Sequence, residues 1–279
     1  MAQLARPRPI VLLTDFGTRD QYVGQVKAVL AGIAPEAPLI DLFHDVEPFA
    51  IDEAAWVLET TLPVLPEGAV ILGVVDPGVG TARRPIVLHA GGRFFVGPDN
   101  GLFSPVLPCA AREELTEPAR VRLDPACTIE IRELCDPQFR RPAVSDTFHG
   151  RDIFAPAAAH LANGADYRRL GPPVEDPIAL PAFSGRPAGS GALEGYVVHV
   201  DHYGNLVTTI RASQLFPSFA LEVGGTLIDR RVRTFGDALP GSLFCHADSS
   251  GFVAIAVNRG SAAATLGVGR GARVRVSAA

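Results

Sequence analysis

The stretch GAVILGVVDPGVG (68–80) constrains this chain more than any other. From Ala69 to Val75 it offers no polar residue that could face water. A strand apolar on both faces belongs in a sheet covered on both sides, and such sheets are largely parallel with helices packed over them. The flanking sequence supplies the other parts. PIVLLTD (9–15) and PLIDLFHD (38–45) are short apolar runs that end on acidic residues. QYVGQVKAVLAGIAP (21–35) and DEAAWVLETTL (52–62) repeat apolar residues at helical spacing, the first stopping at Pro35. RPIVLHAGGRFFVGPDNG (84–101) predicts two strands joined at Gly91–Gly92, and RDIFAPAAAHLANG (151–164) a helix that Gly164 ends.

After Leu180 the texture changes. PAFSGRPAGSGALEG (181–195) has the Pro, Gly and Ser content of a linker. Beyond it, GYVVHVD, NLVTTI, ALEVGG, TLIDRRVRTF, FVAIAVN and ARVRVS are brief runs split by turn residues, the pattern of a small barrel or sandwich. The expected fold is therefore an α/β N-terminal domain with a central, mostly parallel sheet over residues 1–180. A linker at 181–191 and a smaller all-β, barrel-like C-terminal domain over 192–279 follow it.

Bulk properties narrow the function classes. A net charge of −5 over 279 residues argues against a phosphate-backbone binder, which needs a basic face. The first apolar run is too short for a signal peptide, and no segment has the length of a membrane span, so a cytoplasmic location is expected. The four cysteines show no CxxC spacing, which argues against a zinc site; Cys109 and Cys127 are a conceivable pair.

In an open α/β sheet, ligands bind beyond the carboxyl ends of the strands. Asp15, His44–Asp45, Asp76 and Asp99–Asn100 all fall there. Each has a bland reading as a cap or turn residue, but the set would share one rim. In VVDPGVGTARR, the glycines allow backbone to approach a ligand and Arg83 can fold back on Asp76. No GKS or GKT follows, which rules out a phosphate-cradling loop. His149 lies at the mouth of the last predicted helix, with Asp152 as a helix-start carboxylate and Arg151 as its ion-pair partner. The acidic and histidine residues are also metal-ligand types, yet HxH, HExxH and DxD spacings are missing and an arginine sits among them. In the C-terminal part, Asp201, Tyr203 and Asn205 gather at a strand end. Ser249 and Ser250 form a turn, and Asn258–Arg259 follows a strand.

Taken together, LLTDFGTRDQYVGQVKAVL, DLFHDVEPFAIDEAA, VVDPGVGTARRPI, FVGPDNGLFSPVL, TFHGRDIFAPAAAHLA, VDHYGNLVTTI and GFVAIAVNRGSAA resemble the S-adenosyl-L-methionine hydroxide adenosyltransferases, relatives of fluorinase and chlorinase. The resemblance implies hydrolysis of S-adenosylmethionine to adenosine and methionine, with neither cofactor nor metal. It also implies a homotrimer with ligand between one subunit's N-domain and its neighbour's C-domain. By the same resemblance Asp15 holds the ribose hydroxyls, with Phe49 beside the sugar. Asn205, Phe235 and the backbone near Arg259 form the adenine pocket, lined by Tyr203. Asp20 and Asp201 hold the methionine ammonium, Ser249 and Ser250 its carboxylate, and Asp76, Arg83 and His149 lie near the attacking water. Fluorinase has Tyr at positions 76 and 149, Thr at 79, Ser at 150 and Arg at 250, together with an insertion missing here. These departures point away from a chlorinase-like halogenase. Two further readings stay open on the residues alone: a nucleoside-binding module without turnover, and a metal-dependent phosphoesterase.

Overall fold

The uniformly apolar run is the middle of a sheet. The computed structural model describes residues 7–124 and 126–278, and the chain divides into Met1–Ala182 and Phe183–Ala279. The first unit runs β1 (Ile10–Thr14), α1 (Tyr22–Ile33), β2 (Leu39–Phe43), α2 (Ile51–Thr61), β3 (Val70–Val74), β4 (Pro85–Ala90), β5 (Arg93–Pro98), α3 (Ala110–Glu113), β6 (Ala119–Arg120), β7 (Glu130–Glu133), α4 (Ala155–Ala162) and β8 (Ile178–Ala179).

Six of these strands form one sheet in the order β2-β1-β3-β5-β4-β7. The pairs β1–β2, β1–β3 and β3–β5 are parallel, while β4 runs antiparallel to β5 and β7. The β4–β5 hairpin turns at Gly91 (φ 54°) and Gly92 (φ 73°), two positive values that a two-residue hairpin turn demands. Alternate residues of β1, β3 and β5, among them Ile10, Leu12, Val70, Leu72, Phe94 and Val96, pack with Val26 and Leu30 of α1 and with the alanines of α4 in one buried cluster. On β3 and β5 the side chains at Gly73 and Gly97 are missing for a reason. A Cβ on Gly97 would lie 2.2 Å from the Gly73 carbonyl oxygen and 2.9 Å from the Phe103 ring.

From β1 the chain leaves for β2 on one side and returns to β3 on the other. The connections that leave the carboxyl ends of β1 and β3 thus run to opposite sides of a crevice, the usual ligand position in such sheets.

The predicted helix at 151–164 differs at its start. Gly150–Phe154 is a π-helical turn that runs into α4. Pro156 has no N–H for the Asp152 carbonyl four residues back, so that carbonyl accepts from the Arg141 N–H at 2.9 Å instead. The Asp152 side chain is fully buried. It accepts from Arg151 Nε (2.7 Å) and Nη2 (2.8 Å), Arg141 Nη1 (2.8 Å) and the Ser145 N–H (2.9 Å). Burial opposes its ionisation, but these donors outweigh burial and bring the carboxyl from 3.8 down to about 2. The expected Arg151 partnership is present, and Arg141 joins it.

The second unit is β9 (Arg186–Ala188), β10 (Ala192–Val200), β11 (Leu206–Arg211), β12 (Phe219–Val223), β13 (Thr226–Ile228), β14 (Leu243–Ala247), β15 (Phe252–Val257), α5 (Ala262–Leu266) and β16 (Arg273–Ala278). Its strands follow the order β13-β12-β16-β10-β11-β15-β14, with β9 on β10, so part of the stretch read as linker is a strand. The ends of the path meet. Cys245 of β14 donates its N–H to the Arg230 carbonyl at 2.9 Å and accepts from the Val232 N–H at 3.1 Å. That near-closure removes exposed edges around a core that includes Val197, Leu206, Leu221, Val253, Ile255, Val274 and Val276. All four cysteines are free thiols, so Cys109 and Cys127 do not pair. No helix among the described residues is long and apolar enough to cross a membrane.

Replacing Gly97 by Ala forces the backbones of β3 and β5 apart and lowers unfolding free energy by roughly 1–3 kcal/mol in urea titration. Asp152 has a folded value below its free one, so its contribution is complete above about pH 4 and is lost as pH falls toward about 2. The urea midpoint of the wild type therefore drops more steeply over that window than that of Asp152→Asn.

Candidate functional site

The four parallel strands β2, β1, β3 and β5 deliver their following residues to one rim, where the sequence places its acidic and amide groups. Some of these prove structural. Asp99 is buried, accepts from Arg84 Nε (2.9 Å) and Nη2 (2.6 Å), and takes the Ile178 N–H at 2.8 Å. Asn100 donates to the Val75 carbonyl at 2.8 Å and so fixes the chain just before Asp76. His44 is buried and bonded to Thr14 and Asp41.

Asp76, Arg83 and His149 do come together. Arg83 Nε donates to both Asp76 oxygens, at 2.9 and 3.1 Å, and Nη2 to Oδ2 at 2.5 Å. Both side chains are over nine-tenths buried. The same Nη2 lies 2.7 Å from His149 Nδ1. A guanidinium has donors only, so Nδ1 must be the acceptor and the ring proton sits on Nε2. Burial and the Arg83 charge both depress the His149 pKa, which favours that neutral ring.

The π-helical turn explains how one arginine meets two residues of one helix. Arg83 also lies over the Phe154 ring, 5.1 Å from its centroid. His149 and Phe154 are five positions apart, about 140° around an α-helix but on one face of a π turn. Sequence reading finds His149 but not Phe154, because five-residue spacing carries no signal in an α-helical template. At Gly150, a Cβ would press on the Phe16 ring at 3.1 Å.

Asp15 follows β1, and its Oδ2 accepts the Phe49 N–H at 3.0 Å. Burial raises its pKa, the Phe49 bond opposes this, and the charge on Asp76 adds to the rise. Phe49 has a left-handed φ of 71° and is 70% exposed, so an aromatic ring stands open beside Asp15. Asp20 is exposed in the turn before α1. A cleft of about 450 Å³ between Phe16, Gln21, Tyr22, Thr147, Phe148 and Arg151 adjoins the residues flanking Asp15 and His149.

In the second unit, Asp201 organises the β10–β11 turn. Its Oδ1 accepts from the N–H groups of Tyr203 and Asn205, both at 2.9 Å, and its Oδ2 from Asn205 Nδ2 at 2.7 Å. Asn205 is buried while Tyr203 is 76% exposed. The segment after β15, which holds Arg259 (φ 59°), packs on this turn through the Ala263 N–H and Gly204 carbonyl. Asn258 Nδ2 donates to the Ala238 carbonyl at 2.7 Å and so ties in the turn carrying Phe235, whose ring meets Phe244 and His246 edge-on. Ser249 and Ser250 lie at the opposite end of β15, in a turn closed by Asp248. The predicted residues here thus form two groups at the two ends of one strand. Among the described residues, no cluster of three or more His, Cys, Asp or Glu could hold a metal ion.

Comparison with known proteins fits both units. The model of the SAM hydroxide adenosyltransferase N-terminal domain matches residues 10–171, and that of the C-terminal domain matches residues 195–275. The chain is 44% identical to a protein of Thermus thermophilus named (R)-S-adenosyl-L-methionine hydrolase, over 96% of this chain and 99% of that one. A protein of the same name from Salinispora tropica is also 44% identical, over 98% and 99%. A fluorinase from Actinopolyspora mzabensis is more distant, at 25% over 97% of each chain. The crystal structure of an uncharacterized conserved protein from Thermotoga maritima matches with a TM-score of 0.80 at 35% identity, covering 96% of this chain and 99% of that one. The chain belongs to the SAM hydroxide adenosyltransferase family.

Proposed function

We propose that the protein hydrolyses S-adenosyl-L-methionine to adenosine and L-methionine by in-line attack of water on C5′. The observation that carries this reading is the contact of Arg83 with both Asp76 and His149 at the crevice between β1 and β3. The C–S bond breaks with its electron pair going to sulfur, and neutral methionine leaves. The new C–O bond forms at C5′, and the water gives up one proton. A sulfonium leaving group needs neither protonation nor a Lewis acid, so the protein's task is to desolvate and aim the nucleophile. Asp76 accepts the hydrogen bond of the water and then its proton. His149 is an Nε2–H donor to the water oxygen rather than the base, because Arg83 occupies its other nitrogen.

The name borne by the Thermus and Salinispora relatives specifies the (R) sulfonium. A sulfonium with three different substituents is pyramidal and holds its configuration, so the two epimers are distinct substrates. An enzyme confined to one epimer leaves the other untouched for methyl transfer. The remaining assignments follow the resemblance. Asp15 holds the ribose hydroxyls with Phe49 against the sugar; Asn205, Phe235, Tyr203 and the backbone at Arg259 hold adenine. Asp20 and Asp201 face the ammonium, and Ser249 and Ser250 the carboxylate. Two exposed aromatic rings, Phe49 and Tyr203, support sites that a ligand or a neighbouring subunit covers. A homotrimer sharing its sites between subunits accords with that. Asp76 disfavours a halide in the nucleophile position, and the Phe16 ring crowds the place where fluorinase carries a serine.

The test is chromatography of reactions run in 18O-water with each sulfonium epimer. The expected products are methionine and adenosine labelled at the 5′-hydroxyl, formed equally well in EDTA and in molar chloride, with the (R) epimer consumed faster. A 5′-halo-adenosine would replace hydrolysis by halogenation. Asp76→Asn should lower kcat by roughly 10²–10⁴-fold. Since the neutral ring is the working form and its pKa is depressed, the acid limb of kcat/KM should lie below pH 6.5. His149→Gln, which still donates but does not titrate, should keep more activity than His149→Ala and lose that limb.

A further inference from the structure

Behind Asp15 runs a chain of polar groups, buried at Thr14 and His44 and reaching solvent at Asp41 and Lys27, that the reaction does not touch. Thr14 is 1% exposed and His44 is 7% exposed. The Phe16 N–H donates to Thr14 Oγ1 at 3.3 Å, which leaves the hydroxyl proton free for His44 Nδ1, 2.8 Å away. With Nδ1 accepting, the imidazole carries its proton on Nε2 and donates it to Asp41 Oδ1 at 3.0 Å. The other oxygen, Asp41 Oδ2, takes Lys27 Nζ at 2.6 Å. Asp41 can only accept, so Nε2 is the donor, and in the neutral ring the bonds run from the Thr14 hydroxyl through His44 to Asp41.

His44 grips that turn a second time. Its backbone carbonyl accepts the Gly17 N–H at 2.8 Å. Asp15 lies between the two points of attachment, with its carboxylate held by the Phe49 N–H in a segment of left-handed backbone. The arrangement resembles a nucleophile–histidine–carboxylate triad in connectivity, but the Thr14 hydroxyl is sealed from solvent and attacks nothing.

We propose that Thr14 and His44 are positioning residues for Asp15: the relay from Asp41 through His44 and Thr14 holds the turn so that the carboxylate meets a ribose diol. This rests on the reading of Asp15 as the ribose-binding group. A relay serving only stability would weaken all ligands alike, whereas a positioning relay sets the preference for a ligand that carries the diol.

The test compares affinities of adenosine and 2′,3′-dideoxyadenosine by calorimetry in full-length variants. The ratio of the two constants is internal to each variant, so partial unfolding cancels from it. The wild type should prefer adenosine. Thr14→Val should shrink the preference by about tenfold or more, the scale of a lost hydrogen bond to a charged group, and Thr14→Ser should restore it. His44→Asn places an oxygen where Nδ1 stands and should keep most of the preference. His44→Gln lacks that acceptor and should behave like Thr14→Val. If Asp15→Asn abolishes the preference while Thr14→Val and His44→Gln leave it at the wild-type level, the relay has no positioning role. An unchanged preference in Asp15→Asn would overturn the ribose assignment itself, and this proposal with it.

Discussion

A guanidinium can only donate, and from that restriction most of the site's chemistry follows. Arg83 spends its donors on a carboxylate and an imidazole. It orients the first and favours the second as a neutral ring with its proton on Nε2. With Asp15 ionised, Asp15, Asp76, Arg83 and His149 together carry one net negative charge. A partly buried group of that sign complements a sulfonium and offers nothing to a halide. The burial of Asp76 and Arg83 makes their pairing matter, since exposed ion pairs of the same geometry contribute little.

The rest of the first unit places those three side chains. The apolar run of β3 puts Asp76 at the crevice where the chain's winding reverses, and Asn100 clamps the residue before it. Arg83 comes from the loop after β3, and His149 from the far end of the unit's sequence. The Asp152 knot, three arginine contacts and a backbone N–H on one buried carboxylate, fixes the turn that carries His149. Stability and site geometry are here the same set of bonds.

Much of this is legible in the sequence because it rests on period and punctuation. Covered strands, helices that stop at Pro35 and Gly164, and acidic residues after β1 and β3 all have local signatures. Elements without such signatures escape. Strand β7 is Glu-Ile-Arg-Glu, polar at most positions, and β14 holds a Cys and a His between turns; tertiary pairing alone makes them strands. The relay through Thr14, His44 and Asp41 is equally hidden, since in the sequence His44 is one more polar residue at the rim. Only the sheet pairing of β1 with β2 brings its ring against Thr14.

The π turn carries a consequence for how such chains can vary. Inserting or deleting one residue in a helix rotates everything before it by about 100°. Here the lost phase is absorbed once, between His149 and Pro156, and both ends are already committed: one to the imidazole, the other to alanines buried against α1. Length changes in this family should therefore accumulate in the loop preceding Ser145 and be purged from the segment that runs from Phe148 to Pro156.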